Sequence, residues 1–135
     1  IGRGPASRAC RKWNAAPMSL EAYFGGDEIA RQLFEAVRHA VDRAGGADLR
    51  VTKSQIAFRA RIAFAWVWIP GRYLNGNVAP LVLTVGLPYR DPSPRWKEIV
   101  EPAPGRFTHH LELYSVEDVD DEVVAWLKAA STTAR

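Results

Sequence analysis

Apolar positions recur every three to four residues near both ends of this chain and every second residue between them. Ile29, Leu33, Val37, Ala40 and Val41 share one helical stripe, while Arg31, Glu35, Arg38 and Asp42 fall mostly elsewhere on the surface. The spacing predicts a helix from Asp27, a suitable N-cap, to about Ala44, where Gly45-Gly46 supplies residues that commonly end helices. Leu20, Tyr23 and Phe24 form a short apolar lead-in before the break at Gly25-Gly26. Near the other end, Val116, Val119, Val123, Trp126, Leu127 and Ala130 make a second stripe. Ser115-Val116-Glu117-Asp118 reads as a variant capping box that opens this helix. Five acids, Glu117, Asp118, Asp120, Asp121 and Glu122, lie where the helix dipole favours negative charge.

Between these helices the period is two. Leu49 to Phe58, Ile62 to Ile69, Leu81 to Leu87 and Phe107 to Tyr114 read as strands, punctuated by Pro70-Gly71, Asn75-Gly76-Asn77 and Pro88. The first two connections are short, which favours antiparallel neighbours. The expected fold is α+β: a mostly antiparallel sheet of about four strands bracketed by an N-terminal and a C-terminal amphipathic helix. Pro88 to Arg106 is then a long connection, in which Arg95 to Val100 is expected to form a helical turn.

Composition leaves this outline intact. At 135 residues, 47% hydrophobic and 24% charged, the chain has the profile of one globular domain. The longest apolar run, Ile62 to Pro70, is too short to cross a bilayer, and no basic segment leads into a long apolar stretch at the start. The lone Cys10 has no internal disulfide partner and there is no CxxC pair for zinc, so a reducing, cytoplasmic setting is expected, with no cofactor and no membrane.

Charge changes the picture more. The net charge of +3 comes from residues 1–17, where Arg3, Arg8, Arg11 and Lys12 meet no acid; without them 14 basic residues face 15 acidic ones. That segment lacks apolar periodicity and precedes the only methionine, Met18. It is expected to be a disordered arm or a non-native extension, with a single domain over residues 18–135; a functional basic arm is the rival reading. Inside the domain the charge is uneven. Nine basic residues and three acids lie between Arg50 and Arg106, opposite an acidic last helix.

Several stretches carry a family resemblance: Val51-Thr52-Lys53-Ser54-Gln55-Ile56-Ala57-Phe58, Phe64-Ala65-Trp66, and Asp91-Pro92-Ser93-Pro94-Arg95-Trp96-Lys97. Phe107-Thr108-His109-His110-Leu111-Glu112-Leu113, Asp120-Asp121-Glu122-Val123 and Trp126-Leu127 complete the pattern. Together they resemble a bacterial family known as domain of unknown function 5655, in order and spacing, over nearly all of residues 18–130. The resemblance implies a small α+β domain and no established activity, so no catalytic residues transfer. Some relatives carry an N-terminal zinc ribbon, which the single cysteine of residues 1–17 cannot supply.

Three constellations offer chemistry. On the second strand, Phe64, Trp66 and Trp68 are expected on one face and Ala63, Ala65, Val67 and Ile69 on the other. Both faces are apolar, so both call for a cover. Helices cover one; the other is met by ordinary core, a dimer partner, the long loop, the N-terminal arm, or stacked bases or another planar ligand. In the long connection, Arg90, Arg95 and Lys97 can gather a phosphate or carboxylate, or the loop is simply solvated and Trp96 plugs the sheet edge. In the last strand, His109 stands alone on an apolar face, as a hydrogen-bonded core histidine would, while His110 and Glu112 share the opposite face. Those two are too few for a metal site, and no nucleophile motif or phosphate loop accompanies them.

The leading expectation is a non-catalytic binding or interaction domain for an anionic or planar ligand, single-stranded nucleic acid included. Its surface would comprise Lys53, Arg59, Trp66, Trp68, Arg95, Lys97 and His110. The alternatives are a small hydrolase-like enzyme and a homodimer closed over the aromatic face. The enzyme would use His109 or His110 with Glu112 and a loop cation from Arg95 or Lys97.

Overall fold

The computed structural model describes residues 18–135, so the expectations for residues 1–17 lie outside the described part. Helix α1 (Leu20–Phe24) is a single turn capped by Ser19, whose hydroxyl accepts the Ala22 N–H at 3.0 Å. Helix α2 (Glu28–Arg43) opens on Asp27, whose carboxylate accepts the Ala30 N–H at 3.1 Å. It closes where Gly46 N–H returns to the Val41 carbonyl at 2.9 Å. The buried stripe of α2 is rotated from the expected one. Ile29 is 62% exposed, while Ala30 and Phe34 are fully buried. Phe34 wins the inward position because it stacks between Phe24 and Phe58, with ring centroids 5.4 and 6.2 Å away.

Six strands follow, two more than expected, as one antiparallel sheet. They are β1 (Asp48–Val51), β2 (Ile56–Arg59), β3 (Ala63–Trp68), β4 (Leu81–Leu87), β5 (Glu98–Ala103) and β6 (Arg106–Leu113), in the spatial order β1-β2-β3-β4-β6-β5. Both extra strands arise where one long segment was expected. Leu49 to Phe58 is a hairpin, because Thr52 breaks the run by sending both its N–H and its hydroxyl to the Gln55 carbonyl. The second half of the expected helical turn at Arg95 to Val100 is instead the start of β5, which opens at Glu98: Ile99 and Val100 lie opposite His109 and Thr108. β-branched residues at that spot pair better than they wind. The β5–β6 turn closes on Gly105, at φ +76°, whose N–H is taken by Glu101 Oε2 at 3.1 Å. A register shift between Val100 and Ala103, next to Pro102, bends the outer strand.

A second irregularity matters more. Phe58 pairs with Ala65 and Arg59 with Ala63, so Phe64 is the extra residue of a bulge. The bulge reverses the parity of the strand's beginning. Phe64 is buried in the core rather than beside Trp66, and Ala63 lies beside Trp66 on the other face.

The last helix is also split. Asp118 accepts the N–H groups of Tyr114 (2.8 Å) and Ser115 (3.1 Å), but the turn it caps (Val116–Asp118) is a single 3₁₀ turn. Asp120 is a second cap in tandem, accepting the Val123 N–H at 3.2 Å, and opens α3 (Asp121–Thr133). Helices α2 and α3 contact each other and the sheet, so both lie on one face. Ile56, Phe58, Ala65, Val67, Leu81, Leu83, Val85, Leu111 and Leu113 point into the core beneath them. Among the described residues, the opposite face has no helix.

Candidate functional site

Every strand contributes to the helix-free face because residues of the other parity must emerge there. One row in register crosses all six strands: Arg50, Ala57, Trp66, Thr84, His110 and Glu98. It begins with a cation on β1 and ends with a carboxylate on β5. The neighbouring row carries Trp68, Val82 and Glu112.

The face is hollowed into a trough of two lobes that share Ser54, Gln55, Trp66 and Tyr73. The first lobe, about 550 Å³, adds Trp68, Thr84, Thr108 and His110. The second, about 750 Å³, adds Arg50, Lys53, Arg59, Ala57, Ile62 and Ala63 and has no carboxylate in its lining. Both volumes fall in the range of small-molecule sites. Tyr73, on the segment after the Pro70–Arg72 turn, is fixed to the β1–β2 hairpin by its hydroxyl, 3.2 Å from the Ser54 carbonyl. Its ring stands 6.4 Å from that of Trp68.

The polar groups of the first lobe are organised by one threonine. The Trp68 indole N–H donates to Thr84 Oγ1 at 3.0 Å, and Thr84 Oγ1 lies 2.7 Å from His110 Nδ1. Thr84 is nearly buried, so its single proton needs an acceptor, and His110 Nδ1 is the one within reach. That assignment leaves the histidine N–H on Nε2. Burial pushes the His110 pKa below its ordinary value, against the opposing pull of Glu98. The Trp68 ring meets the imidazole edge-on at 6.1 Å.

His109 is elsewhere. It is fully buried on the core face, accepting the Asp91 N–H on Nε2 (3.0 Å), with Nδ1 3.3 Å from the Val85 carbonyl. Burial lowers its pKa, more than the carbonyls of Val85 and Phe107 raise it. Trp96 covers it, with ring centroids 4.9 Å from His109 and 4.1 Å from Trp126. Asp91 Oδ2 accepts the Trp96 indole N–H at 2.9 Å, which folds the long connection onto the sheet as a plug.

Arg95 and Lys97 also lie apart from the trough. Arg95 bridges Asp120 (3.0 Å) and Glu122 (2.8 Å), donates to the Asp118 carbonyl at 2.9 Å, and lies 5.5 Å from the Trp126 ring centre. Lys97 is 3.8 Å from Glu112, which also receives the Tyr114 hydroxyl at 3.4 Å. Of the residues expected from sequence, the trough therefore gathers Lys53, Arg59, Trp66, Trp68 and His110. Glu112 shares the face with His110 but forms no group with it: among the described residues, no three His, Cys, Asp or Glu side chains are gathered to hold a metal ion. Sequence reasoning missed Thr84, Gln55, Tyr73 and Gly86. A Cβ on Gly86 would sit 3.6 Å from the Trp66 ring, so this glycine is the floor on which that ring rests. A lone glycine and a lone threonine inside an apolar strand were the available signals.

This arrangement defines a small α+β domain whose sheet is helix-covered on one face and carries an aromatic trough on the other. The chain belongs to the family described as Domain of unknown function (DUF5655), whose model matches residues 20–134. No curated protein and no solved structure matches it. Among the described residues, no helix is long and apolar enough to cross a membrane.

Proposed function

We propose that the protein is a binding domain whose ligand lies in the trough of the helix-free face and is planar and negatively charged. One observation carries this reading: Trp66 lies between a lobe of aromatic and hydrogen-bonding groups and a lobe lined by Arg50, Lys53 and Arg59 without a carboxylate. A planar ring gains dispersion and stacking from Trp66, and an attached anion gains charge-assisted hydrogen bonds. Lys53 and Arg59 make no ion pair among the described residues, so a ligand need not break one. Calorimetric titration with naphthoate, a planar aromatic anion, tests the reading. Saturable binding lost in Trp66→Ala supports it; heats equal in the two proteins dismiss it.

A hydrolase-like reading has one observation in its favour, the 2.7 Å contact between the Thr84 hydroxyl and a histidine. The same hydroxyl also accepts from Trp68 and is nearly buried, so a steering role for His110 is better supported than an attacking Thr84. Self-association over the trough is the competing occupant. Light scattering that finds a dimer, together with loss of that dimer in Trp66→Ala, would replace the ligand by a second copy.

A further inference from the structure

We infer that the trough takes a nucleoside phosphate, with the base in the Trp68–Thr84–His110 lobe and the phosphate in the Lys53–Arg59 lobe. This deepens the binding reading above and rests on it.

The ring lobe sets the first requirement. Thr84 uses its hydroxyl on Trp68 and His110, which leaves His110 Nε2–H as a donor with no partner among the described residues. Gln55 adds an amide that donates and accepts, whereas the Ser54 hydroxyl is already 3.5 Å from Thr52 Oγ1. A hydrocarbon ring such as that of naphthoate gains the stacking on Trp66 but leaves these groups to water, so it binds more weakly than a ring that matches them. A heterocycle with carbonyl or ring-nitrogen acceptors on its edge matches them while its face lies on Trp66.

The second lobe sets the charge. Lys53 and Arg59 flank it, with Arg50 beside them, and its lining has no acid. Asp48, the cross-strand partner of Arg59, makes no ion pair with it. Two or three cations around one cavity suit a phosphate monoester, which carries nearly two negative charges, better than a single carboxylate. Arg59 lies opposite Ala63 and Thr84 opposite Trp66, so the two are two strand spacings apart, about 10 Å across the sheet, and further offset along it. The sugar between base and phosphate spans part of that gap, and the long Lys53 and Arg59 side chains reach across the rest.

The far end of the face limits the ligand's length. Glu98 closes the row beyond His110, and Glu112, which pairs with Lys97, stands on the adjacent row of the same face. A polynucleotide laid across all six strands would bring its phosphates to these carboxylates. A mononucleotide confined to β1–β4 and His110 avoids them, so the charge layout favours the short ligand over the single strand.

The test uses the full chain at low salt and calorimetry with the four ribonucleoside monophosphates, their nucleosides, inorganic phosphate and single-stranded oligonucleotides. At least one monophosphate is expected to bind about tenfold more tightly than its nucleoside and than inorganic phosphate. Lys53→Glu with Arg59→Glu should erase that advantage while leaving nucleoside affinity in place, and His110→Gln should weaken nucleoside and nucleotide alike. Equal affinity for nucleoside and monophosphate, or binding of oligonucleotides alone, overturns the inference. If naphthoate binds through Trp66 and no nucleotide does, the planar-anion reading stands and the nucleoside phosphate falls; if neither binds, both fall.

Discussion

The Thr84 hydroxyl and His110 Nδ1 are 2.7 Å apart on adjacent strands, while His109, one residue away, is turned into the core against Trp96. Two consecutive histidines thus meet opposite faces of one sheet, and both have pKa values depressed, by burial first. In the unfolded chain they titrate near about 6.5. A depressed folded-state value means that their contribution is whole above that pH and is lost as pH falls through it. The urea midpoint is therefore expected to drop between pH about 7.5 and about 5.5, before most carboxylates titrate. A midpoint that stays constant across that window would mean that burial does not disfavour the charged rings.

Arg95 ties the end of the long connection to the start of α3. Arg95→Ala removes two carboxylate partners, a carbonyl bond and the contact with Trp126. Because the guanidinium is partly exposed, the expected loss is about 1–2 kcal/mol, smaller at high salt. Hydrogen exchange should quicken in the first turn of α3 and stay unchanged in α2. The carboxylate side carries the same information. Burial alone would raise the Asp120 pKa, but Arg95 and the Val123 N–H together hold it below its ordinary value.

Ser131 is buried in α3 and its hydroxyl has no hydrogen-bond partner among the described residues. Ser131→Ala is expected to stabilise the protein by about 1 kcal/mol, the cost of an unpaired buried hydroxyl. Denaturant titration measures it directly, and a destabilised variant would point to a buried water that satisfies the serine.

Gly86 offers a graded test of the trough. Alanine fits there, with its Cβ 3.5 Å from the Phe64 carbonyl and 3.6 Å from the Trp66 ring, and stability should stay within about 0.5 kcal/mol. Valine adds methyl groups that the ring must yield to. Gly86→Val is expected to keep the circular dichroism of the wild type and to weaken naphthoate binding, whereas Gly86→Ala binds normally. Equal binding by both variants would remove Trp66 from the site.

Local chemistry made much of the fold readable. The Asp27 cap, the Gly45-Gly46 stop and the alternation of Leu81 to Leu87 each act within a few residues, so their signals survive in a bare sequence. Misreadings occurred where distant partners decide. Phe34 displaces Ile29 from the buried stripe only because Phe24 and Phe58 flank it. Ile99 and Val100 extend only because β6 lies beside them. The bulge at Phe64 depends on how β2 pairs, which no pattern within β3 reveals. The same limit held for the candidate site. Trp66, Trp68 and His110 were visible as residue types of one parity, whereas Arg95 was diverted by carboxylates more than twenty residues ahead of it. Thr84 acquires its role only from the two rings that converge on it.

Because the described helices cover the sheet on one side, its two parities answer to different demands. Leu83, Val85 and Leu111 hold the helices in place, while Thr84 and His110, their immediate neighbours in sequence, touch no helix stripe. Substitutions at the second set leave the first nearly undisturbed, so recognition on this scaffold can drift while foldability is retained. A slip of one residue in the pairing of β4 would exchange the two sets at once, and the core leucines that forbid the slip therefore also fix what the trough presents.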